Sequence, residues 1–440
     1  MQIFESQFPN DYRQAEIKKI LDYVLVGKFC QVICIPGAGK ATVLRLLAHN
    51  RDLLKFHLQE KERSLRFVYL NFFELADFTE AQIAKFMLLA LDQKPQSQND
   101  HLVLTKQLNE TVNKLAGQGQ TVVFLFDHFD EHQNRLPRSF FQTLKSLRSL
   151  AKYKFSVVFA TRRDLVNLVD EDILKDYWDF FVGNTVYLKI MDVSALNYLF
   201  LQIEKVFEKK LASDQKTKIA RIAGGHAKLT KIITELVLGQ KIAPEQEDLL
   251  KNQQVQASLY EIWLSLTGVE QRELYLLSQK GSPQNTSEAN PILENLINFD
   301  LIRPKNQSNQ SNNLTIQQFN NFVFTIPIFE EFVKNTTPNT HEEITYNPQN
   351  REIKKGASII SELLSPQEYR LLEFLIQNQD TVIGRDEIIS AVWPQTQVAE
   401  AISDEAIDQM VFRLRKKIED EPATPKYILT VKGRGLKFEP

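Results

Sequence analysis

Cysteine and glycine are scarce in this sequence of 440 residues, and each shortage excludes a class of protein. The two cysteines, Cys30 and Cys34, lie in one apolar stretch, so a disulfide-stapled fold is excluded and a cytoplasmic protein in a reducing compartment is expected. Fifteen glycines are too few for a collagen-like chain or a glycine-linker architecture. No repeat with a period of about 20–50 residues is found, so a long solenoid is not expected.

Membrane and targeting signals are also missing. No apolar run reaches about 18 residues, the length that a helix needs to cross a bilayer. The start, MQIFESQFPNDYRQ, lacks the basic-then-apolar pattern of a secretory signal. We therefore expect no membrane association. The net charge is −2, so any binding of nucleic acid would have to come from a local basic patch.

Apolar material is plentiful, with 43% hydrophobic residues and 29 Phe, which excludes disorder of the whole chain. The length allows about three domains, or more if some are small. Up to about residue 160, helical patterns alternate with short apolar runs. The helical patterns cover roughly 11–26, 41–49, 78–117 and 138–151, and the runs are Phe29–Ile35, Phe67–Leu70, Thr121–Phe126 and Phe155–Ala160. Because the runs are apolar throughout, both faces of each strand should be covered, which predicts a parallel sheet between helices.

The pattern changes after about residue 190. Residues 193–250 are helical throughout, except for AGGH at 223–226. Residues 255–335 carry three helical runs, then two short strands around the polar tip NQSNQSNNLTIQQ, which predicts a winged helix. The segment 335–342 lacks large apolar residues and is interpreted as a linker. The predicted fold class is multidomain, α/β followed by α+β.

The first strand leads into a glycine-rich loop that opens a helix. Gly37, Gly39 and Lys40 supply what a phosphate loop needs: a backbone that curls round an anion, a helix N-terminus and a Lys for the outer phosphates. The strict pattern G-x-x-x-x-G-K-[ST] fails twice, because Cys34 replaces the first Gly and Ala41 the hydroxyl residue that binds magnesium. An ordinary glycine-rich turn with a solvated Lys is the alternative.

Two further strand ends carry polar residues. Asp127 ends an apolar strand 87 positions after Lys40, where phosphate-loop enzymes hold their metal ion. A lone aspartate at a strand end is otherwise a turn residue or a helix cap. A third strand ends in Arg162 and Arg163, where a polar group could sense the outer phosphate. Surface arginines are the alternative explanation.

These motifs together resemble the ATPase module of the STAND proteins, which are relatives of the AAA+ and Orc-type ATPases. The resemblance rests on CIPGAGKATVLRLL, FLFDHFDE, FATRR and AGGHAKL, and it covers about residues 8–335. It implies binding of ATP or ADP, with Mg²⁺. It also implies that Asp127 and Thr42 hold the metal, that Arg162 reports the third phosphate and that His226 touches the nucleotide from a helical lid. The loop residues that would line the phosphates are Gly37, Ala38, Gly39, Lys40, Ala41 and Thr42.

Departures from the family pattern bear on catalysis. The acid that orients the attacking water follows the strand-end aspartate in the family, whereas this chain has His128 there. Ala41 removes a metal ligand, although Thr42 could partly compensate. Asp127 is the catalytic candidate, with Asp130 or Glu131 as the residues that could supply the missing carboxylate. Nucleotide binding is therefore better supported than hydrolysis, and whether the protein is an enzyme stays open.

The last hundred residues contain a basic helix and a basic hairpin. Ser365 and Glu368 predict a capping box at the start of one helix. In the helix predicted at 403–418, Ile407, Val411, Leu414 and Ile418 fall on one face, and Gln409, Phe412, Arg413 and Lys416 on the opposite one. From 413 to 437 there are eight Lys or Arg and three acids. This pattern suits reading of the major groove with phosphate anchoring, whereas a solvated surface is the usual explanation of a basic face.

The runs LSPQEYRLLEFL, VIGRDEIISAVW, IDQMVFRLRKKIE and ILTVKGRGLKF closely resemble the effector domain of OmpR/PhoB-type response regulators, over about 343–440. The resemblance implies an antiparallel sheet, a helix-turn-helix and a hairpin wing. It implies that Gln409, Phe412 and Arg413 face bases, that Arg415 and Lys416 lie near phosphates, and that Lys432 and Arg434 belong to the DNA-binding wing. Glu405 and Phe412 depart from the usual residues, so the target sequence is not transferable.

The predicted domains are an ATPase core at 1–190, a helical lid at 191–250, a winged helix at 251–335, a linker at 336–342 and the DNA-binding domain at 343–440. The leading hypothesis is an ATP-responsive transcription regulator that binds double-stranded DNA and self-associates on nucleotide or DNA. One alternative is an active ATPase that the DNA module localises, for replication or defence. The other is a non-catalytic DNA-binding scaffold.

Overall fold

The protein is described from a computed structural model of the chain. The residues described are 4–132, 135–169, 183–240, 242–280, 289–305, 322–336, 344–356, 358–379, 381–393, 404–419, 422, 425–431 and 433–439. Contacts divide the chain into two compact units, Met1–Ser265 with Leu277–Asn335, and Leu266–Leu276 with Thr336–Pro440. Every helix within the described ranges is too short or too polar to cross a lipid bilayer.

The first unit is built around a five-stranded parallel sheet. Its strands are β1 (Cys30–Ile33), β2 (Leu65–Asn71), β3 (Thr121–Asp127), β4 (Phe155–Thr161) and β5 (Thr185–Tyr187). They pair in the order β2-β3-β4-β1-β5. Every residue of β1, β3 and β4 is buried, as expected for strands covered on both faces. The predicted α/β layer is therefore confirmed.

The strand order determines which loops meet. Strand β4 lies between β1 and β3, with Ile33 opposite Thr161 and Phe126 opposite Phe159. Because the strands are parallel, the carboxyl ends of β1, β4 and β3 are neighbours at one edge of the sheet. The predicted phosphate loop, Arg162 and Asp127 each follow one of these three strands, so the topology brings them to the same edge.

Among the described residues, six helices precede or connect these strands: α1 (Gln14–Leu25), α2 (Lys40–His49), α3 (Arg51–Leu58), α4 (Glu80–Ala90), α5 (His101–Gly117) and α6 (Arg138–Ala151). The prediction of one helical stretch over 78–117 was wrong, since α4 and α5 are separate helices. Pro95 lies between them and cannot continue a helix. The side chain of Asp100 caps α5 by accepting hydrogen bonds from the N–H groups of Leu102 and Val103.

Aromatic packing fixes the turn that follows β3. Five buried phenylalanines have ring centroids 4.9 to 6.4 Å apart, mostly edge to face or tilted. They are Phe72, Phe126, Phe129, Phe140 and Phe159. Phe129 belongs to the short helical turn Phe129–Glu131, so its burial holds the neighbouring Asp130 at the edge of the sheet.

A mainly helical stretch follows the sheet. Its helices are α7 (Val193–Phe207), α8 (Ser213–Ala223), α9 (Ala227–Gln240), α10 (Gln246–Leu250), α11 (Gln253–Leu264), α12 (Gly268–Lys280), α13 (Ala289–Asn298) and α14 (Pro327–Lys334). Strands β6 (Ile302–Pro304) and β7 (Phe322–Phe324) pair antiparallel between α13 and α14. The helices and the strand pair occur where the sequence predicted them. The polar tip predicted between the two strands lies outside the described residues.

The described C-terminal residues combine two small sheets with three helices. The first sheet holds β8 (Ile344–Asn347), β9 (Glu352–Lys355) and β10 (Ser358–Ile359), and the second holds β11 (Val382–Ile383), β12 (Ile428–Val431) and β13 (Gly435–Phe438). The helices are α15 (Pro366–Gln377), α16 (Arg385–Val392) and α17 (Asp404–Ile418). The predicted capping box is present, with hydrogen bonds of 3.3 and 2.7 Å between Ser365 and Glu368. The arrangement of these helices and sheets confirms the predicted winged-helix fold with its hairpin.

Candidate functional site

The loop between β1 and α2 contains two positions that favour glycine. Gly37 has a φ of 77° and Gly39 a φ of 102°, in the left-handed region that other residues rarely adopt. A Cβ atom at Gly37 would also lie 2.8 Å from atoms of both His226 and Lys228. Gly39 is the N-cap of α2 and has no side chain to cap the first N–H groups of the helix. The positive end of α2 is thus suited to receive an anion.

The carbonyl oxygens of residues 36–38 in this loop are held by other elements. Nε2 of His226 donates to the carbonyl of Pro36 at 2.8 Å, and the backbone N–H of Lys228 donates to that of Gly37 at 3.1 Å. The guanidinium of Arg13 donates to the carbonyl of Ala38 at 2.6 Å. The start of α9 and the residue before α1 therefore fix the backbone of the loop from outside.

The hydrogen bonds of His226 define its protonation state. Its Nδ1 accepts the N–H of Leu229 at 3.3 Å, while Nε2 donates to the carbonyl of Pro36. Both bonds fit a neutral ring that carries its proton on Nε2. The residue is 1% exposed, and burial lowers its pKa to about 4. His226 thus touches the phosphate loop itself, while its predicted contact with the nucleotide stays a prediction.

The strand-end aspartate is completely buried and hydrogen-bonded. Oδ1 of Asp127 accepts the N–H of His128 at 3.0 Å, and Oδ2 accepts the hydroxyl of Tyr69 at 2.7 Å. Burial and the hydrogen bond to Asp127 raise the pKa of Tyr69, so the phenol keeps its proton. Both oxygens of the predicted catalytic and metal-binding residue therefore have partners within the protein.

A second acid, Asp130, lies between the two cationic groups of the site. Its Oδ1 is 3.3 Å from Nζ of Lys40. Its Oδ2 accepts the backbone N–H of Arg162 at 2.9 Å and lies 3.3 Å from Nε of the same residue. The side chain is 4% exposed. Asp130 thus joins the predicted phosphate-binding Lys to the predicted phosphate sensor.

Glu131 and His128 extend this network. Oε1 of Glu131 is 2.8 Å from Nη2 of Arg162 and 3.2 Å from Nδ1 of His128. Partial burial raises the pKa of Glu131, but the hydrogen bond from His128 and the charge of Arg162 outweigh it and lower the pKa overall. His128 itself has a left-handed backbone, with a φ of 57°, at the point where the chain leaves β3. The carboxylate of Glu131 therefore stays charged beside Arg162.

Ala41 and Thr42 lie in the first turn of α2 and are partly exposed. In the part of the chain that the structure describes, no three His, Cys, Asp or Glu side chains are grouped to hold a metal ion by themselves.

From the sequence, Asp127 was the predicted catalytic residue, and Asp130 was only a possible substitute. The signal for Asp130 was the second acid of FLFDHFDE, three residues after the first. Tyr69 and Arg13 were missed, because each contacts a residue that is distant in sequence and neither belongs to a local motif.

The C-terminal helix α17 has the predicted two faces. Its inward side chains are buried and belong to the core of the domain, namely Ile407, Met410, Val411, Leu414 and Ile418. Gln409, Phe412 and Lys416 are exposed, and Arg413 is partly exposed. Phe412 is 46% exposed, and Nζ of Lys416 lies 4.9 Å from the centre of its ring. The outward face therefore offers hydrogen-bonding groups, an aromatic ring and positive charge together.

Arg415 was predicted to lie near DNA phosphates, but its guanidinium is hydrogen-bonded within the protein. Nε and Nη2 donate to the carbonyl of Ile428 at 3.0 and 2.6 Å, and Nη2 also donates to Oγ1 of Thr430 at 2.7 Å. The carboxylate of Glu419 accepts the N–H groups of residues 426–428 at 2.7 to 3.0 Å. These two side chains attach α17 to the first strand of the hairpin, and a phosphate contact of Arg415 stays a prediction.

The hairpin of β12 and β13 is closed by glycines. A Cβ atom at Gly435, where φ is 133°, would overlap the carbonyl oxygen of Ile383. Arg434 is exposed at the tip. Lys432, which was predicted to belong to the DNA-binding wing, lies outside the described residues. Residues from three elements, among them Arg385, Arg434 and the apolar Ile388, line a cavity of about 560 Å³ between α16, α17 and the hairpin.

Comparison with known proteins identifies the C-terminal domain. Residues 361–438 match the family described as "Transcriptional regulatory protein, C terminal". The chain is 31% identical over 101 residues to the transcriptional regulatory protein YvrH of Bacillus subtilis, covering 23% of this chain and 40% of that protein. It is 37% identical over 87 residues to the transcriptional regulatory protein KdpE of Mycobacterium tuberculosis, covering 20% of this chain and 36% of that protein. The predicted OmpR/PhoB-type domain is confirmed by the family match.

The chain spans less than half the length of these curated relatives. Among solved structures, it is similar to a Walker-type ATPase of Pyrococcus abyssi, with 15% identity and a TM-score of 0.45. The similarity covers 73% of this chain and 95% of that one.

Proposed function

We propose that this protein is a nucleotide-responsive regulator of transcription that binds double-stranded DNA. The observation that carries the proposal is the family match of residues 361–438, in which α17 turns Gln409, Phe412, Arg413 and Lys416 away from the domain core. The relatives in this family are named as transcriptional regulators. A parallel-sheet unit with a phosphate-type loop precedes the DNA-binding domain in the same chain.

Nucleotide binding is supported by the loop after β1. Two left-handed glycines, the start of α2 and Lys40 form the type of cradle that binds the phosphates of ATP or ADP. Mg²⁺ would neutralise charge on the outer phosphates, with Thr42 and Asp127 as its predicted protein partners. Arg162 would face the third phosphate, and Asp130 would exchange its contact with Lys40 for one with the nucleotide or its metal.

Hydrolysis is expected to be slow. His128 stands where the family has a carboxylate, and an imidazole is a poor substitute for a carboxylate in orienting water. Asp130, however, lies 3.3 Å from Lys40, so one carboxylate that could orient water lies at the same edge of the sheet as the phosphate loop. This contact favours a second candidate, an active ATPase that the C-terminal domain localises on DNA. The rate of turnover distinguishes the two candidates.

DNA recognition is proposed for the outward face of α17 and the hairpin. Gln409, Phe412 and Arg413 would face base edges in the major groove, and Lys416 would contact phosphates. Arg434 and the predicted wing residue Lys432 would contact the backbone and the minor groove beside it. One domain of this size binds a short half-site, so high affinity would require self-association on two half-sites. A cytoplasmic location is part of this proposal.

Footprinting of the purified protein with and without ATP tests the proposal directly. We expect protection of a specific DNA site that becomes stronger or longer with nucleotide. The Lys40→Ala variant should give the footprint seen without nucleotide under both conditions. A footprint that is identical with and without ATP in the wild type would leave a DNA-binding protein whose phosphate loop does not regulate it.

A further inference from the structure

Arg13 is an unusual residue for the start of a helix. It is 1% exposed, and its backbone is left-handed, with φ 48° and ψ 46°. Non-glycine residues adopt this conformation mainly where surrounding contacts hold them. The charged side chain is buried against the protein backbone, so the contacts of its guanidinium must compensate the loss of water.

Those contacts join two separate elements. One terminal nitrogen of Arg13 donates to the carbonyl of Ala38 in the phosphate loop at 2.6 Å. The other donates to the carbonyl of Lys189, just after β5, also at 2.6 Å. Because the guanidinium is planar and rigid, the two carbonyl groups are held at a fixed separation. The carboxylate of Glu16, in the first turn of α1, lies 3.6 Å from the guanidinium of Arg13 and balances its charge.

Lys189 continues the connection to α13. Its Nζ donates to the carbonyl of Ile297 at 2.9 Å and to that of Asn298 at 3.3 Å, at the C-terminal end of this helix. A cation is favoured there, because the last carbonyl groups of a helix lack partners within it and carry partial negative charge. The next residue, Ile190, donates its N–H to the side chain of Asp300 at 3.1 Å. Two adjacent residues thus attach the end of α13.

We propose that Arg13 and Lys189 are positioning residues that transmit the state of the phosphate loop to the C-terminal end of α13. The proposal rests on the proposed binding of nucleotide to the loop. A phosphate that reorients the loop moves the Ala38 carbonyl. Because Arg13 is hydrogen-bonded to both carbonyls, the carbonyl of Lys189 moves as well. The hydrogen bonds of the Lys189 ammonium group to the carbonyls of residues 297 and 298 then change. By reciprocity, a change at the end of α13 alters the affinity of the loop for nucleotide.

The test removes the link without touching the loop. Lys189→Met keeps the apolar stem of the side chain and loses the ammonium group, and Lys189→Arg keeps the donors. Lys209→Met is the matched control, because Nζ of Lys209 donates to the carbonyl of Leu238 near the end of α9 in the same way, at 3.0 Å. Circular dichroism and thermal unfolding check that all three variants are folded.

Two measurements are made on each full-length variant. The first is affinity for ADP with Mg²⁺, which should fall about 5-fold or more in Lys189→Met, the lower end of usual coupling between sites, and stay near wild type in the other two variants. The second is hydrogen exchange. ADP should slow exchange at residues 297–301 in the wild type, and this effect should be lost only in Lys189→Met.

Hydrogen exchange of the nucleotide-free protein distinguishes failure of this proposal from failure of the proposed function. In the nucleotide-free protein, Lys189→Met should speed exchange in residues 36–43 relative to both Lys209→Met and the wild type. If the wild type binds no ADP, the proposed nucleotide switch is wrong, and the link is judged by this measurement alone. The link is overturned if Lys189→Met leaves both the exchange of the loop and any affinity for ADP unchanged.

Discussion

Nζ of Lys40 lies 3.3 Å from Oδ1 of Asp130, and the Asp130 side chain is 4% exposed. The Lys predicted to bind phosphate is thus paired with an acid that also contacts Arg162. A buried carboxylate between two cations is a replaceable partner for them, because a phosphate group offers the same charge and more acceptor oxygens. Under the proposed function, the pair would keep the site stable without nucleotide, and the phosphates of a bound nucleotide would replace Asp130.

Lys40→Ala should therefore weaken binding of ATP and ADP at least about 10-fold, a loss of at least about 1.4 kcal/mol. The ammonium group is lost from the phosphates, and Asp130 is left with less compensation for its charge. Titration calorimetry gives the affinities. Lys55→Ala is the control, because Lys55 forms an exposed ion pair with Asp52 at 3.7 Å. Equal affinity of wild type and Lys40→Ala would show that nucleotide does not use this loop.

Turnover should be slower than about one ATP per second, the lower end of ordinary enzymes. Whatever turnover exists should disappear in Asp130→Asn, because Asp130 is the carboxylate beside Lys40 and Arg162. Binding of ATP should persist in this variant, since the competing negative charge is removed. Phosphate release measures the rate. Brisk turnover that Asp130→Asn retains would show that another group, such as Glu131, orients the water.

Acid should destabilise the protein through His226. Its folded pKa of about 4 lies below the ordinary value of 6.5, so the unfolded chain binds the proton more readily. The contribution of neutral His226 to the stability of the folded state is complete above pH 6.5 and is lost as the pH falls towards 4. The total loss is at most about 3 kcal/mol. Between pH 7 and pH 5, the free energy of unfolding in urea should fall less steeply with pH for His226→Gln than for the wild type. His101→Gln, an exposed control, should follow the wild type. Matching slopes for wild type and His226→Gln would contradict the assignment.

Arg413 and Arg415 should have different effects on DNA binding. Arg413→Ala should cost about 1–3 kcal/mol on the preferred site if the guanidinium contacts a base. Arg415→Lys keeps the charge but cannot reproduce the bonds to Ile428 and Thr430. We expect this variant to speed hydrogen exchange in residues 428–431 without DNA and to weaken DNA binding. If Arg415 acts only on phosphate, Arg415→Lys should leave both the exchange rate and the affinity near wild type.

The strands and the faces of α17 could be predicted because burial leaves a local pattern. Fully apolar runs predicted the bounds of β3 and β4 to within one residue. The 3.6-residue period of α17 placed Leu414 on the buried face and Arg413 on the opposite one. The contact of Asp130 with Lys40 could not be predicted, because it depends on the left-handed turn at His128 and on the burial of Phe129. Arg13 meets Lys189 across 176 positions of sequence, and Arg415 finds acceptors on a strand outside its helix. Such long-range contacts leave no periodic signal.

The central claim is that the nucleotide state controls DNA binding, and one comparison tests it most directly. Full-length protein is titrated onto DNA with one half-site and onto DNA with two half-sites about one helical turn apart, with ATP, with ADP and with no nucleotide. Self-association would raise the effective concentration of the second DNA-binding domain. We predict that the second half-site increases affinity by an amount that depends on nucleotide in the wild type and is independent of nucleotide in Lys40→Ala. No gain from the second half-site under any condition, or the same gain in both proteins, would contradict the account.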